Sequence, residues 1–264
     1  MSAAPEVRLV PLRRSGGRAP LLLVSAPEVN ALGYVALARR LDPRESPISV
    51  ETRRTGAGPR ESEYSLAETA ELAARYLDAV RAAQPKGPYQ LAGMCAGAHL
   101  AFEMARALVA AGERVALLAL LDTWPVENSA RYPLVVLEAL RARYRRLRRD
   151  GRLAAVAGTA AAALRRLGPS SEEQRRWRAR VFPGEGFQPS IYTGPITVIR
   201  AEHQAYWRLR DRTLGWGARS DRPVDVHTVP GNHASLLRPP AVEEVARVIQ
   251  AGLDAARGEA RDAA

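Results

Sequence analysis

The chain has 264 residues, 47% of them hydrophobic and 25% charged, with a formal net charge of +11. That length fits one hydrophobic core carrying an insertion better than two equal domains. No uncharged apolar run reaches the length of about 18 residues that a membrane span needs, and "MSAAPEVRLVPLRRSGGRAP" lacks the apolar stretch of a signal peptide, so a cytoplasmic protein off the membrane is expected.

The positive charge is concentrated. Between Arg131 and Arg180 fourteen arginines face four acids, Glu138, Asp150, Glu172 and Glu173, which is +10 of the total. Arginines outnumber lysines thirty-eight to one, so part of this excess reflects codon usage in a GC-rich genome. Nucleic acid is a poor match for the stretch, because only Tyr132, Tyr144, Trp177 and Phe182 interleave with its arginines and no recognition module is present. Cys95 is the only cysteine, which rules out an internal disulfide or a thiol-rich metal site and fits a reducing compartment; no metal is expected.

Taken in chain order, the first strand is "LLLVSA" from Leu21, followed by "PISVET" from Pro47. A helix then runs from Ser65 to Gln84; Ser65 and Glu68 form a capping box, and Leu66, Ala70, Ala73, Leu77 and Val80 repeat on one face. The strand "PYQLAG" from Pro88 leads into a helix over Gly97 to Ala111, and "VALLALLD" from Val115 is the next strand. After Pro125 the alternation stops for about 60 residues, a length more typical of a functional lid than of a structureless loop, and 125–189 is read as a helical lid. The strands "PITVIRA" from Pro195 and "PVDVHTV" from Pro223 follow, then a helix over Ala241 to Ala256 and a frayed tail after Gly258. Strands apolar on both faces that alternate with helices predict one α/β domain over 1–264, a mostly parallel sheet covered on both sides.

Cys95 falls on the turn between a strand and a helix, in the pattern Gly93-x-Cys95-x-Gly97. This is the nucleophile elbow of α/β-hydrolases with cysteine in place of serine, where only glycine fits the flanking positions. The dipole of the following helix and a neighbouring imidazolium would favour negative charge on the sulfur. Among the four histidines, His99 lies one turn into the helix, and His203 and His227 lie near strand ends without a supporting pattern. His233, in "VPGNHASLLRPP" after the last strand, stands where such folds carry their general base. The orienting acid is Asp122 at the end of "VALLALLD", with Glu202 after "PITVIRA" as its rival.

The segments "GPYQLAGMCAGAHLAFEMARALVAAGERVALLALLDTWP", "YTGPITVIRAE", "LGWG" and "VPGNHASLLRPP" together resemble the thioesterase domains that end nonribosomal peptide and polyketide assembly lines, and the likeness runs from Val7 to Val248. The resemblance implies an α/β-hydrolase fold, Asp122 in preference to Glu202 as the acid, and a helical lid over Pro125–Pro189. It further implies an oxyanion hole built from the backbone N–H of Ala96 and of Glu28 or Val29, although "SAPEVNALGY" lacks the glycines usual in that loop. The implied substrate is an acyl, aminoacyl or peptidyl group on the phosphopantetheine of a carrier protein, with no cofactor of the enzyme's own. Carrier proteins tend to be acidic, so the arginine-rich lid is read as their docking rim on a monomeric enzyme. Because Met1 stands close to the family-like opening, a discrete protein acting in trans is expected. An acyl group moved from one thioester to another on Cys95 keeps its activation, which favours transfer to an amine or thiol, by cyclisation or shuttling, over hydrolysis by an editing type II-like enzyme. A catalytically inactive carrier-binding module is the remaining alternative.

Overall fold

The computed structural model describes residues 6–13, 17–26, 30–52, 65–125, 187–203 and 211–262. The lid expected over 125–189 therefore lies almost wholly outside the described residues, as does the arginine-rich stretch within it. Among the described residues seven strands form one sheet: β1 (Val7–Pro11), β2 (Pro20–Val24), β3 (Ser46–Thr52), β4 (Tyr89–Met94), β5 (Val115–Leu121), β6 (Thr197–His203) and β7 (Asp225–Asn232). Their spatial order is β1-β3-β2-β4-β5-β6-β7, with β1 antiparallel to β3 and every other pair parallel.

Among the described residues four α-helices cover the sheet: α1 (Ala31–Ala38), α2 (Leu66–Ala83), α3 (Ala96–Ala110) and α4 (Ala241–Asp262). Two apolar clusters lie on the two faces. One packs Leu72, Tyr76 and Leu77 of α2 and Leu100, Phe102 and Met104 of α3 against Leu22, Leu91, Leu118 and Leu120. The other packs Tyr34 and Leu37 of α1 and Val245, Ile249 and Leu253 of α4 against Leu21, Leu23, Ala119 and Leu121. Neighbours in sequence on β2 and β5 thus point to opposite sides, which is why these strands are apolar throughout.

The capping box of α2 is present: the Ser65 N–H donates to Glu68 Oε2 at 2.8 Å, and the Glu68 N–H donates to Ser65 Oγ at 3.2 Å. Three features depart from the sequence reading. β1 is short, lies on the sheet edge and ends at Pro11, so it carries little strand signal. α1 spans eight residues, nearly all apolar, with no charged side chain to mark an outer face; Asn30, which caps Leu32 N–H, is its one legible signal. α4 runs through Gly258 to Asp262 instead of fraying there, since a lone glycine among good helix formers costs only about 1 kcal/mol.

α4 is held to the far end of the sheet by a buried carboxylate. Glu45, fully buried, accepts from Arg18 Nη1 at 2.5 Å, Gln250 Nε2 at 3.0 Å and Arg257 Nη2 at 2.9 Å.

Two glycines let the elbow helix approach the sheet. A Cβ on Gly93 would lie 2.2 Å from the Gly97 carbonyl oxygen, and one on Gly97 would lie 2.3 Å from that of Val24. Both obstacles are backbone, so they cannot swing aside. Gly93→Ala and Gly97→Ala should each destabilise the fold by about 2–3 kcal/mol or more. Gly258→Ala, whose Cβ meets nothing within 4 Å, should be neutral to slightly stabilising. Urea denaturation of the three variants reads both signs.

Candidate active site

The sheet delivers three side chains to its carboxyl edge from three different strand ends. β4 ends at Met94, and the next residue, Cys95, has φ 54° and ψ −135° before α3 begins at Ala96. Left-handed φ is unfavourable for a residue with a Cβ, and it turns the thiol away from the sheet. β5 ends at Leu121, and Asp122 also has positive φ, 44°. The β7 segment ends at Asn232, which caps the short 3₁₀ turn opened by His233.

These three groups form a continuous chain of contacts. Cys95 Sγ lies 2.9 Å from His233 Nε2, and His233 Nδ1 donates to Asp122 Oδ2 at 3.0 Å. The Asp122 main-chain oxygen is also 3.0 Å from Nδ1. Asp122 is only 2% exposed, and its other carboxylate oxygen accepts from the Ala201 N–H at 2.8 Å. A buried carboxylate bonded on both oxygens is fixed in place and presents a full charge to the ring.

Burial opposes a charge on the His233 imidazole, but the hydrogen bonds and charges of Asp122 and Cys95 outweigh it and push the pKa from 6.5 up to about 10. Near neutrality the ring is therefore imidazolium and both its nitrogens donate, Nδ1 to the carboxylate and Nε2 to the sulfur. A protonated ring in contact with the sulfur can hand its proton to a departing group.

Of the residues singled out from sequence, Cys95, His233 and Asp122 meet. Glu202 does not: its side chain is 62% exposed and lies 3.9 Å from His203. His203 bonds the Gly231 carbonyl, and His227 bonds Asp225 on the exposed edge strand. His99 borders the acid loop, with Nε2 2.8 Å from the Trp124 carbonyl oxygen. Ala96 opens α3, so its N–H belongs to the first turn, which has no intrahelical acceptor. Glu28 and Val29 lie outside the described residues.

Three supporting residues escaped the sequence reading. Thr123 Oγ1 accepts from the Cys95 N–H at 2.8 Å. Trp216 Nε1 donates to the Thr123 carbonyl at 2.6 Å. Tyr34, fully buried, accepts from the Met94 N–H at 3.0 Å and donates to the Val24 carbonyl at 3.1 Å. Nothing in the local sequence marks Thr123 or Tyr34, whereas Trp216 stands within the "LGWG" segment. Among the described residues no group of acidic, histidine or cysteine side chains could hold a metal, and no helix is long and apolar enough to cross a membrane.

Comparison with known proteins identifies the family and the fold. A family model described as a thioesterase domain matches residues 20–253. Malpibaldin synthetase of Mortierella alpina is 27% identical over 93% of this chain, which spans 4% of that protein. Enterobactin synthase component F of Escherichia coli is 39% identical over 46% of this chain, corresponding to 9% of its own length. Among solved structures, the Vlm2 thioesterase domain carrying genetically encoded 2,3-diaminopropionic acid, bound with a dodecadepsipeptide, is 26% identical with a TM-score of 0.58, covering 91% of this chain and 96% of that one. The NocB thioesterase domain, 23% identical with a TM-score of 0.56 over 94% of this chain and 98% of its own, shares the fold.

The raised His233 pKa sets a pH window for stability. A group whose pKa is higher in the folded state stabilises fully below its unfolded value, near 6.5, and that contribution disappears as pH rises through about 10. The melting-temperature gap between wild type and His233→Gln should therefore be widest near pH 6 and shrink steadily towards pH 10, read by thermal denaturation across that range.

Proposed function

Because the chain belongs to the thioesterase-domain family, we propose that it takes an acyl, aminoacyl or peptidyl group from a carrier protein's phosphopantetheine thioester onto Cys95 and passes it to an amine or thiol acceptor. The observation that carries this reading is the unbroken contact chain from Cys95 Sγ through His233 to Asp122. The relatives include a nonribosomal peptide synthetase and a non-reducing polyketide synthase, and the Vlm2 domain is bound with a dodecadepsipeptide, which supports a peptidyl or depsipeptidyl cargo.

In the first half-reaction the sulfur of Cys95 bonds to the carbonyl carbon and the carbon–sulfur bond to pantetheine breaks. His233 Nε2 gives its proton to the departing pantetheine sulfur. The transient oxyanion is stabilised by the Ala96 N–H at the start of α3, with Glu28 or Val29 supplying the second donor. Asp122 keeps Nδ1 protonated and steadies the ring charge. In the second half-reaction the acceptor loses a proton to His233, attacks the acyl carbon and releases the Cys95 sulfur. No cofactor of the enzyme's own enters either step.

Cysteine alters the energetics of the cycle. A serine acyl-enzyme is an oxyester, formed downhill from a thioester, whereas the Cys95 acyl-enzyme is another thioester of nearly equal energy. The group therefore remains activated for aminolysis or for return to a second carrier. The arginines between Arg131 and Arg180 suit an acidic carrier by charge, and a cytoplasmic setting would keep the single thiol reduced.

Intact-protein mass spectrometry with an acyl-loaded carrier tests the assignment. Wild type should gain the acyl mass and keep it until an amine or an empty carrier is added. Cys95→Ala should gain none, and Asp122→Asn should acylate about 10²–10⁴-fold more slowly. Rapid loss of the adduct to water alone would make the protein a hydrolase, and no adduct from any carrier would leave only binding.

A further inference from the structure

β4 and β5 run in parallel register as far as Met94 opposite Leu121, and then both chains turn aside at the same level, at Cys95 and Asp122, each with positive φ. On the next rung the Cys95 N–H would meet a backbone carbonyl of the neighbouring strand, but the paired register ends at Met94. A side-chain hydroxyl takes that place. Thr123 Oγ1 accepts from the Cys95 N–H at 2.8 Å and donates its single proton to the Leu121 carbonyl, also at 2.8 Å. With its proton committed to Leu121, the oxygen can only accept from Cys95.

Thr123 is itself gripped from several sides. Its carbonyl accepts from Trp216 Nε1, the following carbonyl of Trp124 accepts from His99 Nε2, and the Asp122 N–H before it donates to the Ile199 carbonyl at 2.7 Å. The residue is 6% exposed, so no water competes freely for its hydroxyl.

We propose that Thr123 is a positioning residue: its hydroxyl, one residue beyond the carboxylate that holds His233, pins the Cys95 backbone and thereby sets the sulfur against the imidazole. One rigid segment, Asp122–Trp124, then fixes both partners of the 2.9 Å sulfur–nitrogen contact, His233 through a side chain and Cys95 through its amide. It also removes the Cys95 N–H from the oxyanion and leaves Ala96 as the elbow's donor. The inference rests on the acyl-transfer reading for its catalytic consequence only, because the positioning itself is a matter of backbone geometry.

The test compares wild type, Thr123→Val and Thr123→Ser in three measurements: turnover of a small acyl thioester of N-acetylcysteamine, the rate of Cys95 alkylation by iodoacetamide, and amide exchange at Cys95. Valine keeps the shape and loses the hydroxyl; serine restores it. Thr123→Val should lower kcat roughly tenfold, with KM moving less than about twofold, because a mislaid nucleophile costs rate more than binding. Alkylation should slow by a similar factor, and Thr123→Ser should recover to within about threefold of wild type on both counts. The wild-type Cys95 amide should be protected from exchange although it lies beyond the last ladder pair. Unchanged rates in Thr123→Val, a serine variant as impaired as the valine one, or an unprotected wild-type amide would each overturn the proposal. If wild type turns over no thioester, the acyl-transfer reading fails, and the alkylation ratio still decides the role of Thr123. If Thr123→Val does not fold, the wild-type amide decides it.

Discussion

The site depends on one strained residue. Cys95 has φ 54° and ψ −135°, a conformation that costs an L residue on the order of 1–3 kcal/mol and survives only where its surroundings over-determine it. They do so here from every side. Gly93 and Gly97 let helix and sheet touch backbone to backbone, Tyr34 takes the Met94 N–H, and Thr123 takes the Cys95 N–H. The two apolar clusters, packed on opposite faces of the same strands, prevent the turn from relaxing by moving the helix.

The electrostatics follow from that placement. A carboxylate buried to 2% exposure would be unfavourable alone, but Asp122 meets a backbone N–H on one oxygen and the imidazole on the other. The ring between it and the sulfur overcomes its own desolvation and stays charged well past neutrality. Each of the three groups thus lowers the cost of the next, and removing one would leave a buried charge or an empty hydrogen bond behind.

The sequence carried this arrangement unevenly. The parallel strands were legible because residues buried on both faces must be apolar throughout, and α2 because its cap and its face repeat are both local. The elbow was legible because its glycines answer a steric demand that no other residue meets. Asp122 was preferred to Glu202 because an apolar strand runs straight into it and because the family resemblance puts the acid there; the sheet adds that Asp122 is buried while Glu202 is exposed. β1 and α1 escaped because one is a brief edge strand and the other has no polar face. Thr123 and Tyr34 escaped for a different reason, since their roles exist only across strands and helices far apart in the chain.

The carboxylate clamp at the opposite edge of the sheet bears on where the minimal folding unit ends. The thioesterase-domain match stops at residue 253, but Arg257, four residues further on, donates from Nη1 and Nη2 to the fully buried Glu45. Excision at the family boundary would leave that charge to Arg18 and Gln250 and would loosen α4, whose start follows directly from the loop that carries His233. The contacts that hold this helix therefore run at least one helical turn past the matched segment, and a charge at the far edge of the sheet anchors the element that follows the His233 loop.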